Sequence, residues 1–225
     1  MKKNTSLLMH LLFAVIVMVE LLGRLLDRTQ MEYFVKPLIM IWIAVYFLLC
    51  ARKTSFTVPV LLAFFFSWVG DNFLMLSGSN ELFFYAGVGG FFCAQVSYVY
   101  TFIKFSEKGG KGFLQQNPWI AVFFLAYMAG ILYLLFPGLE GMMKVVITIY
   151  AFSLILMSMT ALNRSGRVGA LSFRLVFIGS LLFVLSDSMI AIDKFHSDLP
   201  LAGFLIMITY IAAQYMIMRG LILEE

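Results

Sequence analysis

Charged residues are scarce in this sequence. Asp, Glu, Lys and Arg make up only 12% of its 225 residues, about half the share found in soluble globular domains. Hydrophobic residues make up 62%, and they fall into runs of about 20 residues, the length of a helix that crosses a bilayer. The composition therefore predicts an integral membrane protein. The net charge of +4 does not indicate a nucleic-acid partner, because the basic residues lie in short loops between apolar runs.

Cysteine and histidine are almost absent as well. Cys50 and Cys93 both lie inside apolar runs, so neither a disulfide nor a metal cluster is expected. The two histidines, His10 and His196, fall on opposite sides of the membrane in the predicted topology, which argues against a zinc hydrolase built on a histidine cluster. The sequence has no Gly-x-Ser-x-Gly elbow and no glycine-rich phosphate loop. If the protein is an enzyme, carboxylates must do the chemistry, and no metal or cofactor is expected.

Eight apolar segments are long enough to cross the membrane as helices. We therefore predict an all-α, polytopic membrane helix bundle that forms a single domain over residues 1–225. Most Lys and Arg outside the spans, including Arg52, Lys53 and Lys108, fall on one side, and the positive-inside rule places that side and both termini in the cytoplasm. The predicted spans are residues 5–24, 33–50, 56–76, 82–104, 118–136, 141–162, 169–191 and 199–221.

Two of these spans carry an aspartate near the outer end. Asp71 and Asp187 have similar surroundings: each follows apolar residues and one small residue and precedes a small polar residue. An ionised carboxylate inside a bilayer costs about 2.5–3.5 kcal/mol on insertion scales, so such a residue is expected to be neutral, paired or exposed to a wet cavity. The acids could also serve only to join helices by hydrogen bonds, but their matched positions favour a shared function.

A lysine is predicted at the same depth. Lys36-Pro37 opens the second span, where proline is tolerated in the first helical turn. The topology places Lys36 in one layer with Glu20, Asp71 and Asp187. Lys36 is expected either to pair with one aspartate or to extend to the interface. For Glu20, a local ion pair with Arg24 one turn later is expected.

Further polar side chains lie in or near the spans. Gln95 and Tyr98 share one helix face, and so do Tyr210 and Gln214. Each pair either joins helices or lines a site. Asn72 either caps its helix or binds a lipid headgroup. These five residues, together with the lysine of the second span, are candidate substrate-binding residues.

Several short motifs occur in a fixed order along the chain: Lys36-Pro37-Leu38, Gly70-Asp71, Tyr150 with Met157, Ser186-Asp187, and Tyr210 with Ala213-Gln214-Tyr215. Together they resemble the motifs of the YhhN-like lysoplasmalogenase family. The resemblance covers most of the chain and departs at Gln95, where the family often has histidine. It implies an eight-span hydrolase that cleaves the vinyl ether of lysoplasmalogens to a fatty aldehyde and a glycerophospho-alcohol. By the same resemblance, Asp71 and Asp187 are the catalytic acids.

Vinyl ether hydrolysis suits a pair of carboxylates. It needs one acid to protonate the β-carbon and one anion to stabilise the resulting oxocarbenium ion, a division of labour known from glycosidases. Which aspartate does which stays open, and Lys36 would bind the substrate phosphate or hold one aspartate ionised.

Two other functions stay open at this point. One is a proton- or cation-coupled transporter of small molecules or lipids that uses the same two aspartates. The other is a hydrolase of a different ether or ester lipid. The expected partners are a lysophospholipid substrate and the lipid bilayer, and no protein partner is inferred. The expected location is the plasma membrane, which is the inner membrane if the source is bacterial.

Overall fold

The structure, a computed structural model, describes residues 3–26, 28–51, 55–104 and 110–223. Within these ranges the regular structure is entirely helical, which confirms the predicted all-α class. Short 3₁₀ turns at Pro118–Ile120 and Phe136–Gly138 flank the sixth helix. The helices are α1 (Lys3–Leu25), α2 (Thr29–Cys50), α3 (Thr57–Leu76), α4 (Glu81–Lys104), α5 (Phe113–Gln116), α6 (Ala121–Leu135), α7 (Gly141–Leu162), α8 (Ala170–Phe195) and α9 (Ala202–Ile222).

Eight helices in the described residues are long and apolar enough to span a membrane, which confirms the predicted number. Three bounds differ by more than two residues: the start of the second span, the end of the seventh and the start of the eighth. Helix α8 continues to Phe195, four residues past the predicted end at 191. Helix α9 begins at Ala202 and not at 199, because Leu201 adopts a left-handed backbone with a φ of 56° that a helix cannot include.

The prediction that Pro37 lies in a first helical turn is wrong. Helix α2 already begins at Thr29, so Pro37 lies inside it. The polar residues before the apolar run join the helix, with Glu32 in its first turn, where a negative charge interacts favourably with the helix dipole. Pro37 has no N–H to donate to the carbonyl of Tyr33, so the helix tolerates a missing hydrogen bond close to Lys36.

Helix α5 lies in the connection 106–117, where no helix was predicted. Its four residues are held by side-chain acceptors: Gln115 Oε1 accepts from the Gly112 N–H at 3.0 Å, and Asn163 Oδ1 accepts from the Leu114 N–H at 3.0 Å. Lys108 of this connection lies outside the described residues, as do Arg52 and Lys53. The cytoplasmic location of the termini stays a prediction.

The chain divides into two compact units inside α4. The first unit contains α1, α2, α3 and α4 as far as Ser97, and the second begins at Tyr98 and includes α5 to α9. The single membrane domain over residues 1–225 stays a prediction.

In the first unit, close helix contacts surround the position of Asp71. A Cβ atom placed on Gly90 of α4 would lie 2.8 Å from the backbone nitrogen of Gly70 on α3, so only glycine allows this approach. On the other side of the unit, Trp42 of α2 stacks on Phe13 of α1 with ring centroids 4.2 Å apart. The two glycines fix the backbone next to Asp71.

In the second unit, α8 and α9 pack through small residues. A Cβ atom on Gly220 would lie 2.9 Å from the Ser172 carbonyl oxygen, and Ser172 Oγ donates to the Gly220 carbonyl at 2.8 Å. A Cβ atom on Gly179 would likewise lie 2.9 Å from the Ala213 carbonyl oxygen. Such contacts are typical of membrane helices, which associate by close packing and hydrogen bonds. They hold α8, the helix that carries Asp187.

Candidate active site

Lys36 and Asp71 form an ion pair between α2 and α3. Lys36 Nζ lies 3.3 Å from Asp71 Oδ1, and the two side chains are only 10% and 4% exposed. Of the two expectations for Lys36, the ion pair is therefore the one seen. Both groups lie within membrane-spanning helices, where an unpaired charge is costly. Lys36 is therefore the countercharge that a buried carboxylate at this position requires.

Glu20 belongs to the same charged cluster. Its carboxylate Oε1 lies 3.2 Å from Arg24 Nε, which confirms the predicted local pair, and Arg24 Nη1 also reaches Glu32 Oε2 at 3.0 Å. Glu20 is fully buried and interacts electrostatically with Lys36. The positive charge of Lys36 is thus shared between Asp71 and Glu20, two of the acids predicted in its layer.

Asp187 has a different environment in the second unit. The hydroxyl of Tyr150 on α7 donates a hydrogen bond to Asp187 Oδ2. The next residue, Ser188, lies 2.9 Å from the hydroxyl of Tyr127 on α6, oxygen to oxygen. Ser186, the preceding residue, donates to the Ile206 carbonyl of α9 at 3.0 Å. Hydrogen bonds to α6, α7 and α9 therefore position this turn of α8. The Asp187 side chain is buried, with 6% of the residue exposed.

Three predicted polar residues form a buried chain of hydrogen bonds. Tyr98 on α4 donates to Gln214 Oε1 on α9, and Gln214 Nε2 donates to the Tyr210 hydroxyl at 3.4 Å. Tyr98 and Gln214 are fully buried and Tyr210 is 3% exposed. The contact joins helices inside the second unit, which is the first of the two roles considered for them.

The two remaining candidates lie in the first unit. Gln95 is fully buried. Asn72 is half-buried, and its side-chain Nδ2 donates to the Trp68 carbonyl of its own helix at 2.7 Å. This contact lies inside α3 and does not cap the helix end, and binding of a headgroup by Asn72 stays a prediction.

The two aspartates thus have unlike partners. Asp71 faces a full positive charge, whereas Asp187 accepts from a neutral phenol. Carboxylates in unlike environments are the arrangement in which one acid and one anion can divide the work of acid–base chemistry. Because the acids belong to different units, their meeting in one pocket stays a prediction.

Sequence reasoning gave no role to Tyr127 and treated Tyr150 only as part of a family motif. Membrane tyrosines are enriched at the ends of spans, where they anchor at the interface. Tyr150 lies well inside α7 instead, and that position is the signal that could have marked it. Tyr127 lies in the middle of α6 in the same way. As for metal ions, no group of three or more His, Cys, Asp or Glu in the described part of the chain has the geometry to hold one.

Comparison with known proteins gives a consistent result. A family model described as the YhhN family matches residues 31–221. Lysoplasmalogenase TMEM86B from Homo sapiens is 33% identical over 153 residues, which cover 67% of this chain and 58% of the relative. Lysoplasmalogenase TMEM86A from Bos taurus is 36% identical over 98 residues, which cover 41% of this chain and 40% of the relative. The matched part of the chain thus spans only 58% and 40% of the length of these two relatives. No solved structure matches the chain.

Proposed function

Because the chain belongs to the YhhN family, we propose that it is a membrane hydrolase that cleaves the vinyl ether bond of lysoplasmalogens. The similarity to two proteins named lysoplasmalogenases supports this activity. The observation that carries the proposal is the pair of buried aspartates with unlike partners, Lys36 for Asp71 and Tyr150 for Asp187. The substrate is a lysophospholipid with an alkenyl chain, and the products are a fatty aldehyde and a glycerophospho-alcohol.

The reaction needs one proton donor and one anion. A carboxylic acid protonates the β-carbon of the vinyl ether, and the positive charge moves to the carbon attached to oxygen as an oxocarbenium ion. Water adds to that carbon, and its proton returns to a carboxylate. The resulting hemiacetal then splits into the aldehyde and the alcohol. A fixed anion close to the oxocarbenium ion lowers the barrier, because the positive charge forms away from bulk water, where electrostatic interactions are strong.

We assign the proton donor to Asp187 and the anion to Asp71. A carboxylate 3.3 Å from an ammonium group stays ionised. The Tyr150 hydroxyl can hold Asp187 in either protonation state, because a protonated carboxyl keeps acceptor capacity. The assignment requires both side chains to face the same vinyl ether, with the substrate entering from the outer leaflet and both termini in the cytoplasm.

Of the proposed substrate-binding residues, Lys36 contributes by keeping Asp71 ionised. Gln95 remains a candidate for the lining of the site, since it is buried one turn before Tyr98 on α4. The hydrogen bonds of Tyr98, Tyr210 and Gln214 support a role in helix packing for these three residues. The contact of Asn72 with its own helix supports the same structural interpretation.

The test is aldehyde release from a lysoplasmalogen by the purified protein in detergent. We expect aldehyde from the wild type and a loss of about 100-fold or more in kcat for Asp187→Asn, because general acid catalysis contributes about 10²–10⁴-fold. Asp71→Asn should lose activity as well. Asp198→Asn is the matched control, since this aspartate is exposed in the connection before α9. Undiminished turnover in both site variants would overturn the acid–base scheme, and fatty acid release from an acyl lysolipid would indicate the ester-lipid alternative.

A proton- or cation-coupled transporter is the second candidate. The observation that favours it is the buried Lys36–Asp71 pair, because ionisable groups inside membrane spans also mark proton and ion pathways. Detergent solution has no gradient and no second compartment. A transporter would therefore yield no product in the aldehyde assay, whereas the hydrolase turns over there.

A further inference from the structure

A cavity of 300 Å³ lies between α6, α7 and α8 in the second unit. Its lining is apolar except for one hydroxyl group, that of Tyr127. Phe123, Leu181 and Leu185 are 66%, 41% and 45% exposed, so the cavity is a groove that opens on the lipid-facing surface. The remaining lining residues are Phe124, Ile155 and Val184.

One end of the groove is polar and lies close to Asp187. Tyr127 lines the groove and also contacts Ser188, the residue after Asp187, at 2.9 Å. Leu185 lies two residues before Asp187, and Leu181 lies six residues before it. At a rise of 1.5 Å per residue, the two leucines are about 3 and 9 Å from Asp187 along the helix axis. The groove therefore runs from an apolar far end at Leu181 to a polar end at the Tyr127–Ser188 contact.

We propose that this groove binds the hydrocarbon chain of the lysolipid substrate. The inference rests on the proposed function, in which Asp187 is the proton donor. In a vinyl ether lipid the double bond is the first bond of the chain, so a site that holds the chain also fixes the β-carbon. A chain with its first carbons at the Tyr127 end brings that carbon to the turn of α8 that carries Asp187. The far end at Leu181 then sets which chain lengths fit.

The volume and the apolar lining of the groove both favour an alkyl chain as its ligand. A partner helix is about 10 Å wide with its side chains, too wide for a cavity of 300 Å³. The apolar lining offers no charge for a headgroup, whereas a single alkyl chain needs none. The polarity along the groove matches an amphiphile that is apolar at one end and oxygen-rich at the other.

A second groove in the first unit provides a control. It has a volume of 280 Å³ and lies between α2 and α3, with Met40, Ile41 and Trp68 in its lining. It lies on the two helices that carry Lys36 and Asp71, which form an ion pair and do not donate the proton in our assignment. Both grooves face lipid and have nearly the same volume, so bilayer lipid alone would treat them alike.

The experiment compares two lysoplasmalogens that differ only in alkenyl chain length, with protein in nanodiscs of one diacyl phospholipid. Leu181→Trp fills the far end of the groove, and we expect kcat/KM to fall about tenfold or more for the longer chain and to change little for the shorter one. The tryptophan ring occupies the space of the last methylenes, so the longer chain loses its packing contacts in the groove or forces the helices apart. Ile41→Trp, at a position 46% exposed in the control groove, should leave both substrates unchanged.

Leu181→Ala is the second variant and keeps the test decisive if the tryptophan disturbs folding. It lengthens the groove, so the preference should move towards the longer chain. A length-independent effect of both Leu181 variants, or equal effects of Leu181→Trp and Ile41→Trp, would show that the groove is covered by bilayer lipid only and would overturn the inference. In that case aldehyde release by the wild type still upholds the proposed function. Absence of aldehyde from both substrates would overturn the proposed function and the inference together.

Discussion

Lys36 Nζ and Asp71 Oδ1 are 3.3 Å apart on neighbouring membrane helices, and neither side chain is more than 10% exposed. A pair shielded in this way behaves unlike a surface salt bridge. Removing one partner takes away the nearest countercharge of the other buried group, at a cost of about 3–5 kcal/mol. Removing both charges avoids most of that cost.

This relationship predicts strong coupling between the two positions. Lys36→Met and Asp71→Asn should each destabilise the protein by about 3–5 kcal/mol, whereas the double variant should lose less than the sum of the two. Unfolding in one detergent measures the coupling. Lys144→Met, at an exposed lysine, is the control and should change stability little. Strictly additive losses would mean that the pair is not formed in the folded protein.

Two adjacent glycines of α4 are expected to respond differently to replacement by alanine. A Cβ on Gly90 would lie 2.8 Å from the backbone of Gly70, next to Asp71, whereas no atom of the described chain lies within 4 Å of a Cβ on Gly89. Gly90→Ala should therefore destabilise by about 1–3 kcal/mol through overpacking and reduce aldehyde release, because Asp71 moves with its neighbour.

Gly89→Ala should be neutral or stabilise by about 0.4–1 kcal/mol, because alanine restricts the unfolded chain at a compatible helical site. Thermal unfolding and the aldehyde assay, run on both variants, check the pair. Equal behaviour of the two alanines would contradict the close contact of α3 and α4.

The sequence predicts the eight spans well because each is a long apolar run, and that signal needs no knowledge of tertiary contacts. It also predicts that Lys36 and Asp71 lie at the same depth in the membrane, because the direction of each span determines which of its ends is the outer one. It does not say which faces of two helices meet, so the Tyr150–Asp187 and Tyr98–Gln214 contacts could not be read from it. Helix α5 was missed for a similar reason, because it is held by Asn163, a residue distant in sequence.

The Tyr98–Gln214–Tyr210 chain predicts a loss of stability without a loss of substrate affinity. Gln214→Leu leaves the Tyr98 hydroxyl without its acceptor in a fully buried position. Hydrogen bonds between membrane helices contribute about 0.6–1.7 kcal/mol, so we expect a loss of that order in unfolding free energy and an unchanged KM. Gln30→Leu, at an exposed position of α2, is the control. A raised KM at unchanged stability would place Gln214 in the substrate site instead.

A variant of Tyr150 can show whether the contact between Tyr150 and Asp187 serves catalysis or only helix packing. Tyr150→Phe keeps the ring of α7 and removes only the hydroxyl that donates to Asp187. A hydrogen bond to an ionisable group contributes about 1.5–3 kcal/mol, and each 1.36 kcal/mol changes a rate about tenfold. If Tyr150 holds Asp187 in the geometry for proton transfer, kcat should fall about 10- to 100-fold with little change in KM.

Tyr133→Phe is the matched control for this variant, because the Tyr133 side chain on α6 is 85% exposed. It should leave both kinetic constants unchanged. The pH profile of kcat adds a readout that packing alone would not move, since the Tyr150 hydroxyl contacts the group that donates the proton in our assignment. If Tyr150→Phe lowers only the thermal stability and leaves kcat and the pH profile as in the wild type, Tyr150 is a packing residue. The proton donor must then be sought at Asp71 and its lysine.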